Sequence, residues 1–209
     1  MVYQNYIGGK WVNGSGNATF ASINPANEEV LGQVARAEAA DVEAAVESAA
    51  RAFDSWRLTP APRRGEILYR VAQILKDRKE ELTQLLTREM GKVISEARGD
   101  VQEAIDMAFF MAGEGRRLLG YTAPVELPNK FGMAVREPMG VCAIITPWNF
   151  PIAVPSWKIF PALIAGNTIV YKPSPETPIL GIEFVKVFEE AGLTPGVMNV
   201  ITAPGIEAG

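Results

Sequence analysis

Pro138–Glu176, PMGVCAIITPWNFPIAVPSWKIFPALIAGNTIVYKPSPE, is the stretch on which the reading of the whole chain turns. Between Glu137 and Glu176 there is no Asp or Glu, and the only charges are Lys158 and Lys172. In a chain with 24 acidic and 20 basic residues, so long an acid-free run is explained by approach to an anion such as a phosphate group. Val141–Ile145, Thr168–Tyr171 and Met198–Ile201 are short apolar runs, with helical patterns between them near Ser156–Ala165 and Pro178–Ala191. Runs of that length alternating with helices predict a right-handed βαβαβ unit and a parallel sheet buried on both faces. Ligands of open α/β sheets bind beyond the carboxyl ends of the strands. Those ends are Thr146–Asn149, Lys172–Glu176 and Thr202–Gly205, so the conspicuous residues share one edge.

Upstream of this unit, Tyr6–Gly9 and Lys10–Val12 read as a short hairpin turning at Gly8-Gly9, and Asn13–Asn17 as a loop. A strand is expected near Val30–Ala35. From Ala39 the period becomes helical, with Val42, Val46, Ala49 and Phe53 on one face. A second helix follows Pro60 and Pro62 and carries Ile67, Leu68, Val71, Ile74 and Leu75 as its stripe. Lys79–Met90 continues to a C-cap at Gly91, and a third long helix is expected over Ser95–Leu119. Tyr121–Leu127 and Phe131–Arg136 predict an extended hairpin around Pro128-Asn129. A two-stranded ribbon is marginal in water, so this one is expected to pack on another subunit or domain.

Composition narrows the function. A length of 209 residues suits one or two domains with a proper core, and a net charge of −4 argues against a nucleic-acid partner. The single cysteine, Cys142, precludes an intrachain disulfide and fits a cytoplasmic location. The chain has no histidine, which excludes Ser–His and Cys–His catalysis and any His-ligated metal within it, and no metal site is expected. Its start, MVYQNYIGGKWVNG, lacks the basic and apolar regions of a signal peptide. Met139–Trp157 is uncharged and long enough to cross a bilayer, but Gly140, Pro147, Asn149, Pro151 and Pro155 interrupt it, so a buried strand–loop–helix is expected and no membrane.

The G-x-G-x-x-G phosphate loop is absent, so a dinucleotide would have to be held in another way. Lys172 reads either as a solvated strand-end lysine or, with Ser174, as a donor to ribose hydroxyls or a 2′-phosphate. Asn149, boxed by Pro147, Trp148, Phe150 and Pro151, reads either as a turn residue or as a rigid N–H donor to a developing oxyanion. Trp148 and Trp157 could wall a ring-shaped ligand or fill a core or interface. Cys142, inside an apolar strand, is expected to be an inert thiol. Gly205 and Gly209 would let backbone approach a ligand.

Taken together, YIGGKWVNG at the start, Asn24-Pro25, the run Arg88–Lys92, P-W-N-F-P, P-A-L-x-x-G-N-T and Lys172-Pro173-Ser174 resemble the NAD(P)-dependent aldehyde dehydrogenase superfamily over the whole chain. The resemblance implies an α/β fold: an incomplete Rossmann-like parallel sheet with flanking helices, plus a β-hairpin oligomerisation arm. It implies a division into residues 1–118, the N-terminal helical part of the cofactor-binding domain, 119–138, the arm, and 139–209, the βαβαβ dinucleotide-binding segment. By resemblance Asn149 is the oxyanion donor and Lys158 a lysine behind the active site. Thr146, Pro147 and Trp148 line the cofactor trough, Lys172 contacts the adenosine ribose, and Gly205 belongs to the adenine pocket. Phe150, Val154 and Trp157 would line the aldehyde tunnel. Many NAD-preferring relatives carry a Glu three residues after the ribose lysine. Here that position is Pro175, with Glu176 following, so NADP tolerance or dual use is expected.

The same resemblance puts the catalytic cysteine, its Glu general base and the catalytic domain beyond Gly209. A thiolate must attack the aldehyde, a hydride must pass to nicotinamide and a base must assist hydrolysis, so the polypeptide is expected to be inactive by itself. The expectation is an N-terminal portion of an enzyme oxidising an aliphatic aldehyde or semialdehyde with NAD or NADP, forming a homodimer or homotetramer. A non-catalytic nucleotide-binding or assembly module of that family is the alternative.

Overall fold

The computed structural model describes residues 2–205. Three strands open the chain, β1 (Val2–Tyr3), β2 (Asn5–Ile7) and β3 (Lys10–Val12), followed by β4 (Thr19–Ile23) and β5 (Val30–Ala35). Four helices succeed them: α1 (Ala39–Leu58), α2 (Ala61–Asp77), α3 (Lys79–Met90) and α4 (Ile94–Glu114). A hairpin of β6 (Tyr121–Pro124) and β7 (Phe131–Ala134) leads into β8 (Val141–Ile145), α5 (Ala153–Ala165), β9 (Thr168–Lys172), α6 (Pro178–Glu190) and β10 (Met198–Val200).

Local chemistry accounts for the boundaries. α1 starts where the Asp41 carboxylate accepts the Glu38 N–H at 2.8 Å, satisfying a donor that the first turn leaves free. α3 ends at Gly91 and α5 at Gly166, both left-handed at φ 82° and 98°. α5 begins at Ala153, earlier than Ser156, because Pro155 falls in the first turn, where a missing N–H costs nothing. α4 stops at Glu114 rather than Leu119, and the hairpin strands are shorter than their apolar runs.

The central sheet has the order β3-β2-β10-β9-β8. β8, β9 and β10 run parallel, and the β2–β3 hairpin extends the sheet antiparallel to β10. A second sheet, β1-β5-β4, forms from short N-terminal strands, of which β1 and β4 were not expected. Alternation along the strands divides the core. Val170 and Ile201 pack with Ala45 and Ala49 of α1, whereas Ile169, Tyr171, Met198 and Val200 belong with α5, α6 and the α2–α4 layer. Phe160, Phe184 and Phe188 meet there at ring separations of 5.1–5.9 Å, two of the three contacts edge-on.

Burial on both faces holds for two of the three parallel strands. β9 and β10 are buried throughout, but among the described residues β8 stands at an edge, with Val141 38% and Ile145 55% exposed. Its continuous apolar run therefore does not mean two covered faces. The β6–β7 hairpin lies outside the core, leaving Tyr121, Phe131 and Met133 largely exposed. No helix of the described residues is long and apolar enough to cross a membrane.

Candidate functional site

The carboxyl ends of β8, β9 and β10 converge through main-chain and lysine contacts. The Thr146 N–H donates to the Lys172 carbonyl at 3.3 Å, joining the first two ends. Lys172 is only 5% exposed, and its ammonium donates to the carbonyls of Pro173 at 3.1 Å and Ala203 at 3.2 Å. The solvated-lysine reading is thereby corrected: Lys172 ties the end of β9 to the end of β10. Burial pushes its pKa below the usual lysine value. An ammonium has three donors, so one remains for a further acceptor. The Ser174 hydroxyl accepts the Glu176 N–H at 3.3 Å, Pro175 is half-buried and the Glu176 side chain is exposed. Gly205 faces open space where a Cβ would stand, and Gly209 lies outside the described residues. The end of β10 is fixed by Asn5, whose side-chain carbonyl accepts the Thr202 N–H and hydroxyl at 2.8 and 2.9 Å.

Pro147, Trp148, Asn149 and Phe150 are exposed, while Pro151, Ile152 and Ala153 are buried. The Asn149 main-chain carbonyl accepts from Lys92 Nζ at 2.8 Å, but its side-chain amide has no hydrogen bond among the described residues. A turn-satisfying asparagine would have used that amide. It is a donor left available on an anchored backbone. Val154, Trp157 and Lys158 follow along α5; Val154 is half-buried, and Trp157 and Lys158 are exposed. Trp157 also lines a shallow cavity of about 290 Å³ with Glu103, Asp106, Met107 and Phe110 of α4. Cys142 is half-buried, not fully, and burial raises its thiol pKa, as suits an inert thiol.

Residues 11–209 match the aldehyde dehydrogenase family. The chain belongs to that family.

Its relatives include the alpha-ketoglutarate semialdehyde dehydrogenase of Haloferax volcanii, 44% identical over 99% of this chain and 43% of that protein. A malonate-semialdehyde dehydrogenase of Bacillus pumilus is 42% identical over 96% of this chain and 41% of its own length. Among solved structures, an NADP-dependent enzyme of E. coli superposes with a TM-score of 0.96 at 35% identity, over 98% of this chain and 43% of that one. A variant betaine aldehyde dehydrogenase of Staphylococcus aureus in complex with NAD+ gives 0.95 at 35% identity, over 98% and 42%. The chain thus spans about 43% of the length of the first of these relatives, and its Rossmann-like α/β fold is that of the family.

Sequence reasoning missed three residues around this candidate site. Glu89, 2% exposed, accepts the Ser22 hydroxyl at 2.7 Å and the Ile179 and Leu180 N–H groups of the first turn of α6, each at 2.8 Å. Burial pushes its pKa up to about 7, against the opposing pull of those three donors. It borders a cavity of about 450 Å³ that Trp148, Pro175 and Glu176 also line. Lys92 and Asp100 form a buried pair at 2.9 Å behind the Asn149 turn. A signal existed for both acids: Glu89 continues the Leu82–Leu86 stripe of α3, and Asp100 falls among Ala97, Val101 and Ala104 of α4. An acid on an apolar stripe needs a buried partner.

Proposed function

We propose that this chain is the N-terminal, cofactor-binding portion of an enzyme that oxidises an aldehyde, a semialdehyde by analogy with its relatives, to a carboxylic acid with NAD or NADP. The observation that carries this reading is the Asn149 side-chain amide, without a hydrogen bond among the described residues, exposed and mounted on an anchored backbone beyond a strand end. Such a donor stabilises the oxyanion formed when a nucleophile attacks an aldehyde. Phe150, Val154 and Trp157 would receive the substrate beside it, with Lys158 one residue further along α5.

The strand ends suit a dinucleotide. Lys172 keeps one N–H donor for a ribose hydroxyl, Ser174 stands beside it, Gly205 offers close backbone approach, and Thr146, Pro147 and Trp148 form the adjoining wall. Bound NAD(P)+ supplies the hydride acceptor. With Pro175 where a ribose-binding carboxylate would repel a 2′-phosphate, NADP is tolerated. The exposed apolar hairpin of β6 and β7 serves as an arm between subunits of a cytoplasmic homodimer or homotetramer.

The test is Asn149→Ala in an active dehydrogenase containing this chain. A fall in kcat on the order of 10²–10³-fold, with cofactor affinity little changed, is expected for an oxyanion donor. Full turnover in the variant would remove Asn149 from the chemistry.

A further inference from the structure

We propose that Lys92 and Asp100 are positioning residues that set the Asn149 amide in place, a role that rests on the oxyanion reading of Asn149. The pair is almost wholly buried, with side chains 6% and 0% exposed. Two charges withdrawn from water to that extent incur desolvation costs that mutual attraction offsets only when the remaining donors and acceptors are satisfied. Both partners find that satisfaction in the same short turn. Lys92 Nζ donates to the Asn149 carbonyl at 2.8 Å and lies 3.8 Å from the centre of the Phe150 ring. Asp100, whose Oδ2 holds Lys92, accepts the Ala153 N–H on its other oxygen at 2.9 Å.

The turn is therefore gripped at residues 149, 150 and 153 from one buried ion pair. Pro151–Ala153 are buried, whereas Trp148, Asn149 and Phe150 are exposed; the Val154 N–H holds the Phe150 carbonyl at 3.1 Å, and Lys92 holds that of Asn149. The peptide carbonyl of Asn149 is one bond from the Cα that carries its amide, so the Lys92 contact limits where that amide can point. Displacement of a reacting group by about 1 Å costs on the order of 10²-fold in rate. Because the remaining donor of Lys92 and the other oxygen of Asp100 both go to this segment, the pair couples α4 to the turn that carries Asn149.

The experiment is a double-mutant cycle in an active dehydrogenase containing this chain. Lys92→Met is expected to lower kcat by about 30-fold or more while leaving cofactor Kd within about threefold. Because Lys92 acts through Asn149, the Lys92→Met/Asn149→Ala protein should be no slower than Asn149→Ala. A Lys92→Met loss that multiplies in full with that of Asn149→Ala, or a variant that keeps its kcat, would overturn the proposal. Asn149→Ala with unchanged turnover would instead sink the oxyanion reading itself. If Lys92→Met does not fold, Asp100→Asn carries the same cycle, since Asn keeps an acceptor for Ala153 but not the charge that orients Lys92. Lys92→Arg should recover part of the lost kcat.

Discussion

Replacing Glu89 by Gln gives the sharpest test of the buried electrostatics. In the native chain the carboxyl is 2% exposed and its pKa rises from an ordinary 4.5 to about 7. Each tenfold change in proton affinity is worth about 1.4 kcal/mol, so the native state holds this proton more tightly than the unfolded chain by roughly 3 kcal/mol. The sign follows directly. Between the two values the folded protein is protonated and the unfolded chain is not. The contribution is thus fully present below 4.5 and is lost as pH rises through about 7. Glutamine carries no titrating proton, and its amide nitrogen faces one of the donors from Ser22, Ile179 or Leu180, at a cost of about 1–3 kcal/mol at every pH. Urea unfolding of both proteins across this window measures the difference. Glu80 and Glu81 have lowered pKa values through Arg98 and Arg78 and weaken the fold in acid, but they are common to both proteins and cancel. The advantage of the native protein over Glu89→Gln should shrink as pH rises. Parallel stability curves would refute the assignment.

Two other substitutions probe separate features. Gly166→Ala forces an L side chain into φ 98° and brings its Cβ within 3.3 Å of the Arg64 guanidinium, so a loss of about 1–2 kcal/mol and a few degrees of Tm is expected by thermal denaturation. In an active dehydrogenase containing this chain, Pro175→Glu should shift the NADP-to-NAD ratio of kcat/KM toward NAD by at least tenfold, about 1.4 kcal/mol. An unchanged ratio would show that this position does not face the ribose.

The parallel core was readable because β9 and β10 are short apolar runs set between helices of marked period. What could not be read depended on distant partners. β4 is Thr-Phe-Ala-Ser-Ile, with no strong alternation, and it is a strand because β5 pairs with it. Lys172 could be read as solvated or as a ligand donor, because the Ala203 carbonyl that its ammonium meets lies 31 residues on. Asn149 was expected to be held by its flanking prolines and aromatics, but the hold on its backbone carbonyl comes from Lys92, 57 residues earlier. The acids on the stripes of α3 and α4 were visible as anomalies, yet their partners belong to other elements.

The free side of β8 also bears on what the sheet needs beside it. Among the described residues this strand pairs on one side only, and it sits inside the stretch that lacks acids. Natural sheets guard such edges with lysine, proline or a bulge within the strand, and Val141–Ile145 has none of these. An apolar strand without any of these guards calls for a neighbouring strand on its free side, so the sheet that carries Asn149 is built to be wider than the strands described.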